Sequence, residues 1–141
     1  MRTAIAMIVV LTAICQTSNA QCGKTVKWTS SHTKFIDSSG NVQREMDENV
    51  LITITNNNVT ILPNDAADEM NGPVSEYVCE WANSKSGSTS FKAVVTDPRG
   101  DVKHLTFSIK GKDDKINVQI TVEEMAGLQV LLDGVSFEES N

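Results

Sequence analysis

From residue 24 onward, apolar and polar positions alternate along much of the chain with a period of two. The alternation is sharpest over 116–122, where Ile, Val, Ile and Val are separated by Asn, Gln and Thr. Because successive side chains of a strand point to opposite faces of a sheet, this pattern predicts strands with one buried and one exposed face. The residues predicted to point inward are Tyr77, Trp81, Leu105, Phe107, Ile109, Ile116, Val118, Ile120 and Val122.

Short clusters of Ser, Gly, Asn, Asp and Pro divide the alternating segments into about eight or nine strands. Tight turns are predicted at 38–41, 56–58 and 97–100, where the residue types suit turn conformations. Two longer irregular connections are also predicted. The first is 63–73, which has a proline at each end, and the second is 82–88, which is rich in small and polar residues.

Sequential strands with short connections usually pair antiparallel, so the sequence predicts an all-β antiparallel meander. Such a sheet can hide its apolar face by closing into an up-and-down barrel or by folding into a two-sheet sandwich. Short connections favour the barrel. A sandwich needs at least one long crossing, which 63–73 could supply, so the barrel is the preferred prediction over the sandwich.

The first 20 residues have the three parts of a secretory signal peptide. Arg2 supplies a positive charge, 4–14 form an apolar run, and Ser18 and Ala20 place small residues where a signal peptidase reads them. The apolar run is too short to cross a bilayer as a helix. We therefore expect cleavage after Ala20, a single domain at 21–141, no membrane anchor, and a secreted or periplasmic location.

The charge of the chain bears on its partners. The formal net charge is −6 at pH 7, and removal of the signal peptide takes Arg2 with it, which makes the mature chain more acidic still. Nucleic-acid binding relies on clustered positive charge to neutralise phosphates, so nucleic acid is not an expected partner.

Two cysteines remain in the mature chain, Cys22 and Cys79. An even cysteine count in an oxidising compartment predicts one disulfide bond, and only one pairing exists here. Their wide spacing differs from the close pair that redox chemistry uses. We therefore expect a structural bond that restricts the unfolded chain by roughly 4 kcal/mol.

Residues that could carry catalysis or bind a metal are scarce. The only histidines are His32 and His104, in a polar turn and on the polar side of a strand, without a zinc-binding motif. No nucleophile-elbow sequence is present. We predict no catalytic residue, no metal site and no cofactor, and hence a protein that is not an enzyme.

The aromatic residues have two possible roles. They could line a ligand cavity, or they could fill the core of a barrel that is just wide enough for side chains or one small ligand. The set consists of Trp28, Tyr77, Trp81, Phe91 and Phe107.

The overall pattern resembles lipocalin-type (calycin) barrels, which share an exported chain, about eight meander strands, an early tryptophan, here Trp28, and one disulfide. The resemblance is architectural and covers most of 24–137. Lipocalins carry Gly-x-Trp in the first strand, whereas four residues separate Gly23 from Trp28 in this chain. The resemblance implies a barrel that binds a small ligand, and it assigns no binding positions.

Three functions are open from the sequence. The leading hypothesis is an exported, non-enzymatic binding domain for a small apolar ligand. The first alternative is a protein-interaction or inhibitor module, similar to inhibitors of lysozymes or proteases, which would present 63–73 or 82–88 to its target. The second alternative is a hydrolase, which would need His32 or His104 beside a carboxylate or serine in a cleft. The volume inside the barrel discriminates the first two.

Overall fold

The computed structural model describes residues 22–55, 57–64, 66–125 and 127–140, so the predicted signal peptide and its cleavage site lie outside the described residues. Within these ranges the chain forms ten strands and one short 3-10 turn at Ala66–Asp68. The strands are β1 (Thr25–Ser30), β2 (His32–Ile36), β3 (Val42–Met46), β4 (Val50–Ile54), β5 (Asn58–Pro63), β6 (Met70–Asn83), β7 (Ser86–Thr96), β8 (Val102–Lys112), β9 (Lys115–Val122) and β10 (Gln129–Ser140).

All strands belong to one antiparallel sheet that closes through the pairing of β1 with β10. β1 and β2 both pair with β10, one after the other along its length. On their other side, β1 pairs with β4 and β2 pairs with β3. β1 and β2 therefore act as one interrupted strand, and β3 and β4 act as another. The result is an eight-stranded up-and-down barrel. The predicted all-β meander and its closure into a barrel are confirmed, and no sandwich forms.

The interruption between β1 and β2 is held by Ser30. The buried Ser30 Oγ lies 2.6 Å from the backbone oxygen of Asp133 and accepts a hydrogen bond from the His32 N–H at 3.3 Å. Asp133 lies in the stretch of β10 where the register with β9 shifts, between Leu132 and Val135. The break between β1 and β2 therefore lies beside the register shift of β10.

The inward faces predicted for β8 and β9 are confirmed. Leu105, Phe107 and Ile109 are buried, as are all four apolar residues of 116–122. The two strands pair in register, so their apolar residues form one continuous inner surface. Trp81 on β6 is also buried, as predicted.

The inward prediction for Tyr77 is wrong, because its side chain is 39% exposed. β6 carries a bulge at this point, where its register with β7 shifts between Ser75 and Val78 and Glu76 has a positive φ of 51°. A bulge adds residues to one strand and changes the face to which the following side chains point. Alternation counted from Trp81 back to Tyr77 therefore fails at the bulge.

The two predicted irregular connections are shorter than expected, because the first is reduced to 64–69 and the second is largely strand. β6 already begins at Met70 and contains Pro73, and the second predicted loop is reduced to a tight connection between Asn83 and Ser86. β6 stays aligned with β7 on both sides of the proline, through Asn71 with Thr96 and Val74 with Ala93. The missing N–H of Pro73 therefore interrupts the ladder without ending the strand.

The turns that connect β2 to β3 and β7 to β8 share one hydrogen-bond pattern, in which an aspartate side chain, Asp37 or Asp97, accepts from two backbone N–H groups that follow it. In the second, Asp97 Oδ1 accepts hydrogen bonds from the N–H groups of Arg99 and Asp101, both at 2.9 Å. These backbone donors, with that of Asp101 contributing most, lower the pKa of Asp97. Gly100 follows with a positive φ of 88°, a conformation that suits glycine. The turn predicted at 97–100 is confirmed.

Cys22 and Cys79 form a disulfide bond, as predicted. Cys22 precedes β1, whereas Cys79 lies on β6, and β4 and β5 separate these strands in the sheet order. The bond therefore links parts of the wall that are not paired with one another. It is consistent with an oxidising, exported environment. In the described part of the chain no helix is long and apolar enough to cross a membrane.

Candidate functional site: an apolar pocket in one mouth of the barrel

One end of the barrel interior is closed by Trp81. The indole Nε1 donates a hydrogen bond to Thr89 Oγ1 at 2.7 Å, and both side chains are buried. The ring packs against the backbone of Gly111, where an added Cβ would come within 2.6 Å of the indole and of the backbone oxygen of Lys85. Glycine at this position therefore makes room for the ring.

The buried aromatic residues fill the barrel next to this closed end. The rings of Phe91 and Phe107 are stacked with centroids 4.5 Å apart, and both side chains are buried together with Trp28. The ring of half-exposed Tyr77 lies 6.3 Å from that of Phe91. None of the five aromatic residues singled out from the sequence lines the apolar pocket described next.

The opposite end of the barrel contains an apolar pocket with a volume of about 230 Å³. Its walls come from β2, β4, β5, β6, β8, β9 and β10, and from the connections around them. The lining residues are Thr33, Phe35, Glu48, Val50, Ile61, Pro63, Met70, Lys103, Leu105, Ile120, Val122, Met125, Val130 and Leu132.

The floor and inner wall of the pocket are aliphatic. Val50, Leu105, Ile120 and Leu132 are buried and all line it. Phe107 follows Leu105 on the same face of β8 and is the register partner of Ile120, yet it is fully buried and outside the lining. It therefore lies beneath the floor, and the pocket ends where the aromatic filling begins.

The rim is more varied than the floor. Phe35, Met70 and Met125 surround the entrance, and Met125 is 45% exposed. The methionine side chains are flexible and polarisable, so they can adapt to ligands of different shape. The charged residues Glu48 and Lys103 also belong to the rim, and both are partly exposed.

Thr33 is the one polar residue in the buried part of the wall. Its side chain is 2% exposed, and its Oγ1 has no hydrogen-bond partner within the described residues. The other two buried polar side chains there, Ser30 and Thr89, both have hydrogen-bond partners. An unpaired buried hydroxyl is costly, and it lies here in the wall of the pocket.

The histidines lie on the outside of the barrel, and each is paired with a carboxylate. His104 Nδ1 is 2.6 Å from Glu124 Oε1, and this hydrogen bond raises the pKa of His104 and lowers that of Glu124. His32 Nδ1 is 2.8 Å from Asp47 Oδ1. Neither histidine lines the apolar pocket.

No group of three or more His, Cys, Asp or Glu side chains is placed to hold a metal ion in the ranges that the structure describes. No protein-family model, curated protein or solved structure matches this chain.

Sequence reasoning identified the barrel but not the residues of its pocket. Leu105, Ile120 and Val122 were predicted to point inward, and they do, but nothing in the alternation distinguishes a side chain that fills the core from one that borders a cavity. One local signal was available for Thr33. It follows His32 and precedes Lys34 and Phe35, so counting back from Phe35 places a threonine on the apolar face.

Proposed function

We propose that this protein is exported and binds a small, mainly apolar ligand in the mouth of its barrel. The observation that carries the proposal is the pocket of about 230 Å³, lined almost throughout by apolar side chains and closed below by packed aromatic rings. Ligand sites are typically concave and mostly apolar, with few polar groups, and the mouths of β-barrels are common places for them. The proposal also agrees with the function that the lipocalin resemblance implies.

The size of the pocket limits the ligand. Apolar protein cavities of about 150 Å³ accept benzene. At about 230 Å³, the present pocket has room for one ring with a short side chain. We therefore propose a ligand of that size rather than a long lipid.

The lengths of the connections favour this function over the inhibitor alternative. An inhibitor module would present 63–73 or 82–88 to its target, but strand residues occupy most of 82–88, and the connection between β5 and β6 is shortened to 64–69. The two-residue connection between β6 and β7 offers little surface of its own to a protein target, and 64–69 is the longer of the two connections that remain.

Export is supported by the signal-peptide pattern of 1–20 and by the disulfide bond. Mass spectrometry of the protein recovered outside the cytoplasm should give an N-terminus at Gln21. Recovery of a mature protein that retains 1–20 would contradict export by this route.

Ligand binding can be tested with propylbenzene, a hydrocarbon of one ring and a short chain. We expect amide shifts in NMR spectra to concentrate around the pocket, and the melting temperature to rise because the ligand binds only the native state. Val130→Phe should fill part of the pocket and abolish both effects, since Val130 lines it.

The matched control is Leu131→Phe. Leu131 is the next residue of β10, lies outside the pocket lining and points to the other face. If Val130→Phe does not fold, Met70→Phe narrows the entrance from β6. Absence of propylbenzene binding up to its solubility limit, or binding that both pocket variants leave unchanged, would refute the proposal.

A further inference from the structure

We infer that the ligand carries a neutral oxygen on its apolar body and that Thr33 Oγ1 is the hydrogen-bond partner of this oxygen. The inference rests on the proposed function, because it names the chemistry of the ligand in the same pocket. It is carried by a second observation, which is the unpaired state of one buried hydroxyl in the pocket wall.

Thr33 differs from the other buried polar side chains of the described residues in having no hydrogen-bond partner. Ser30 is bonded to the backbone near the bend of its strand, and Thr89 accepts the indole hydrogen of Trp81. The Thr33 hydroxyl is equally buried but has no partner within the described residues. Buried hydroxyls in native proteins are usually bonded, so an exception calls for a reason, and a ligand supplies one here.

The position of Thr33 in the sheet explains why the protein itself does not supply the partner. Its register partners are Leu132 on β10 and Met46 on β3, and neither side chain offers a strong hydrogen-bonding group. Glu48 and Lys103, the charged residues of the lining, belong to the partly exposed rim. The ladder holds Thr33 with its side chain inward, among aliphatic residues.

The chemistry of a hydroxyl defines the class of ligand. Threonine can donate one hydrogen bond and accept others, so an alcohol, a phenol or a ketone would satisfy it. Thr33 Oγ1 is itself buried in the wall, and rotation about χ1 to another staggered position would turn it towards the pocket. A charged group is not expected at this depth, because the aliphatic wall would not compensate the loss of its hydration.

The test compares two probes of similar size in two proteins. Propylbenzene lacks an oxygen, whereas 3-phenyl-1-propanol carries a hydroxyl on a flexible chain. Thr33→Val keeps the shape of the side chain and removes the hydroxyl. We expect the affinity for the alcohol to fall about tenfold in this variant and the affinity for the hydrocarbon to stay the same or rise.

Two further variants serve as controls. Thr60→Val makes the same substitution on β5, at a residue that lies outside the pocket lining, and should change neither affinity. Thr33→Ser keeps the hydroxyl and should keep the affinity for the alcohol. If Thr33→Val does not fold, Thr33→Ala removes the hydroxyl instead and should bind the alcohol more weakly than Thr33→Ser does.

The outcomes separate this inference from the proposed function. If both probes bind and Thr33→Val lowers the affinity for the alcohol no more than the affinity for the hydrocarbon, the role of Thr33 is refuted. The proposed ligand binding would still stand. If neither probe binds the natural protein, the proposed function fails and the inference fails with it. A loss confined to the alcohol supports both.

Discussion

Trp81 and Thr89 lie on neighbouring strands at the closed end of the barrel, and the indole Nε1 donates a 2.7 Å hydrogen bond to the threonine Oγ1. Thr89 Oγ1 is also 3.4 Å from the sulfur of Cys79, so the hydroxyl lies between the ring and the disulfide bond. The contact shows how this end is sealed: a large ring is buried, and its single polar atom is satisfied.

Removal of this hydroxyl should destabilise the fold. Thr89→Val leaves the buried indole N–H without its acceptor, and we expect a loss of about 1–3 kcal/mol in the free energy of unfolding, measured by urea denaturation. Thr106→Val on β8, a half-buried residue outside this contact, is the control. If both variants lost the same stability, the Trp81 contact would have no special role.

The stacked pair of Phe91 and Phe107 should be a main source of stability. Phe107 is fully buried, so Phe107→Ala should cost about 3–5 kcal/mol through lost burial and the cavity left behind. Ser108→Ala, at the next residue on the other face of β8, should change stability by no more than about 0.5 kcal/mol. Denaturant unfolding of the two variants checks the difference, and equal losses would contradict the inward orientation of Phe107.

The disulfide bond should stabilise the barrel by restricting the unfolded chain. Cys22 and Cys79 are 57 residues apart, so replacement of both by alanine should cost about 4 kcal/mol on the chain-entropy model. The far-UV circular dichroism spectrum should still show β structure, because the strands pair with one another without the disulfide bond. A peptide map of the non-reduced protein that finds two free thiols would contradict the assignment.

The pair of His104 and Glu124 should respond to pH. Its hydrogen bond raises the native pKa of His104 above the ordinary value of 6.5 and lowers that of Glu124 below the ordinary value of 4.5, so the pair stabilises the fold fully between these two ordinary values. The contribution is lost as the pH rises through the raised native pKa, because the ring then loses its charge. An NMR titration should show the raised pKa of His104 and its return towards 6.5 in Glu124→Gln. An unchanged pKa in the variant would show that Glu124 is not the cause.

Much of the fold could be predicted because its signals are local. The alternation at 116–122 and the turn at Asp97 depend on residues that are close in sequence. The bond between Cys22 and Cys79 followed from the count of cysteines outside the predicted signal peptide. Pro73 was predicted to end an irregular connection but lies inside β6. The effect of its missing N–H depends on the neighbouring strand, which local sequence does not reveal.

The sequence by itself determined the antiparallel all-β meander and the buried faces of β8 and β9, because these depend on period-two alternation and short connections. Only the tertiary structure decided that aromatic rings fill one end of the barrel and leave a pocket at the other. A cavity is the difference between the space that the closed sheet encloses and the summed volume of side chains from distant strands. For the same reason, the unpaired hydroxyl of Thr33 became visible only when all its neighbours were in place.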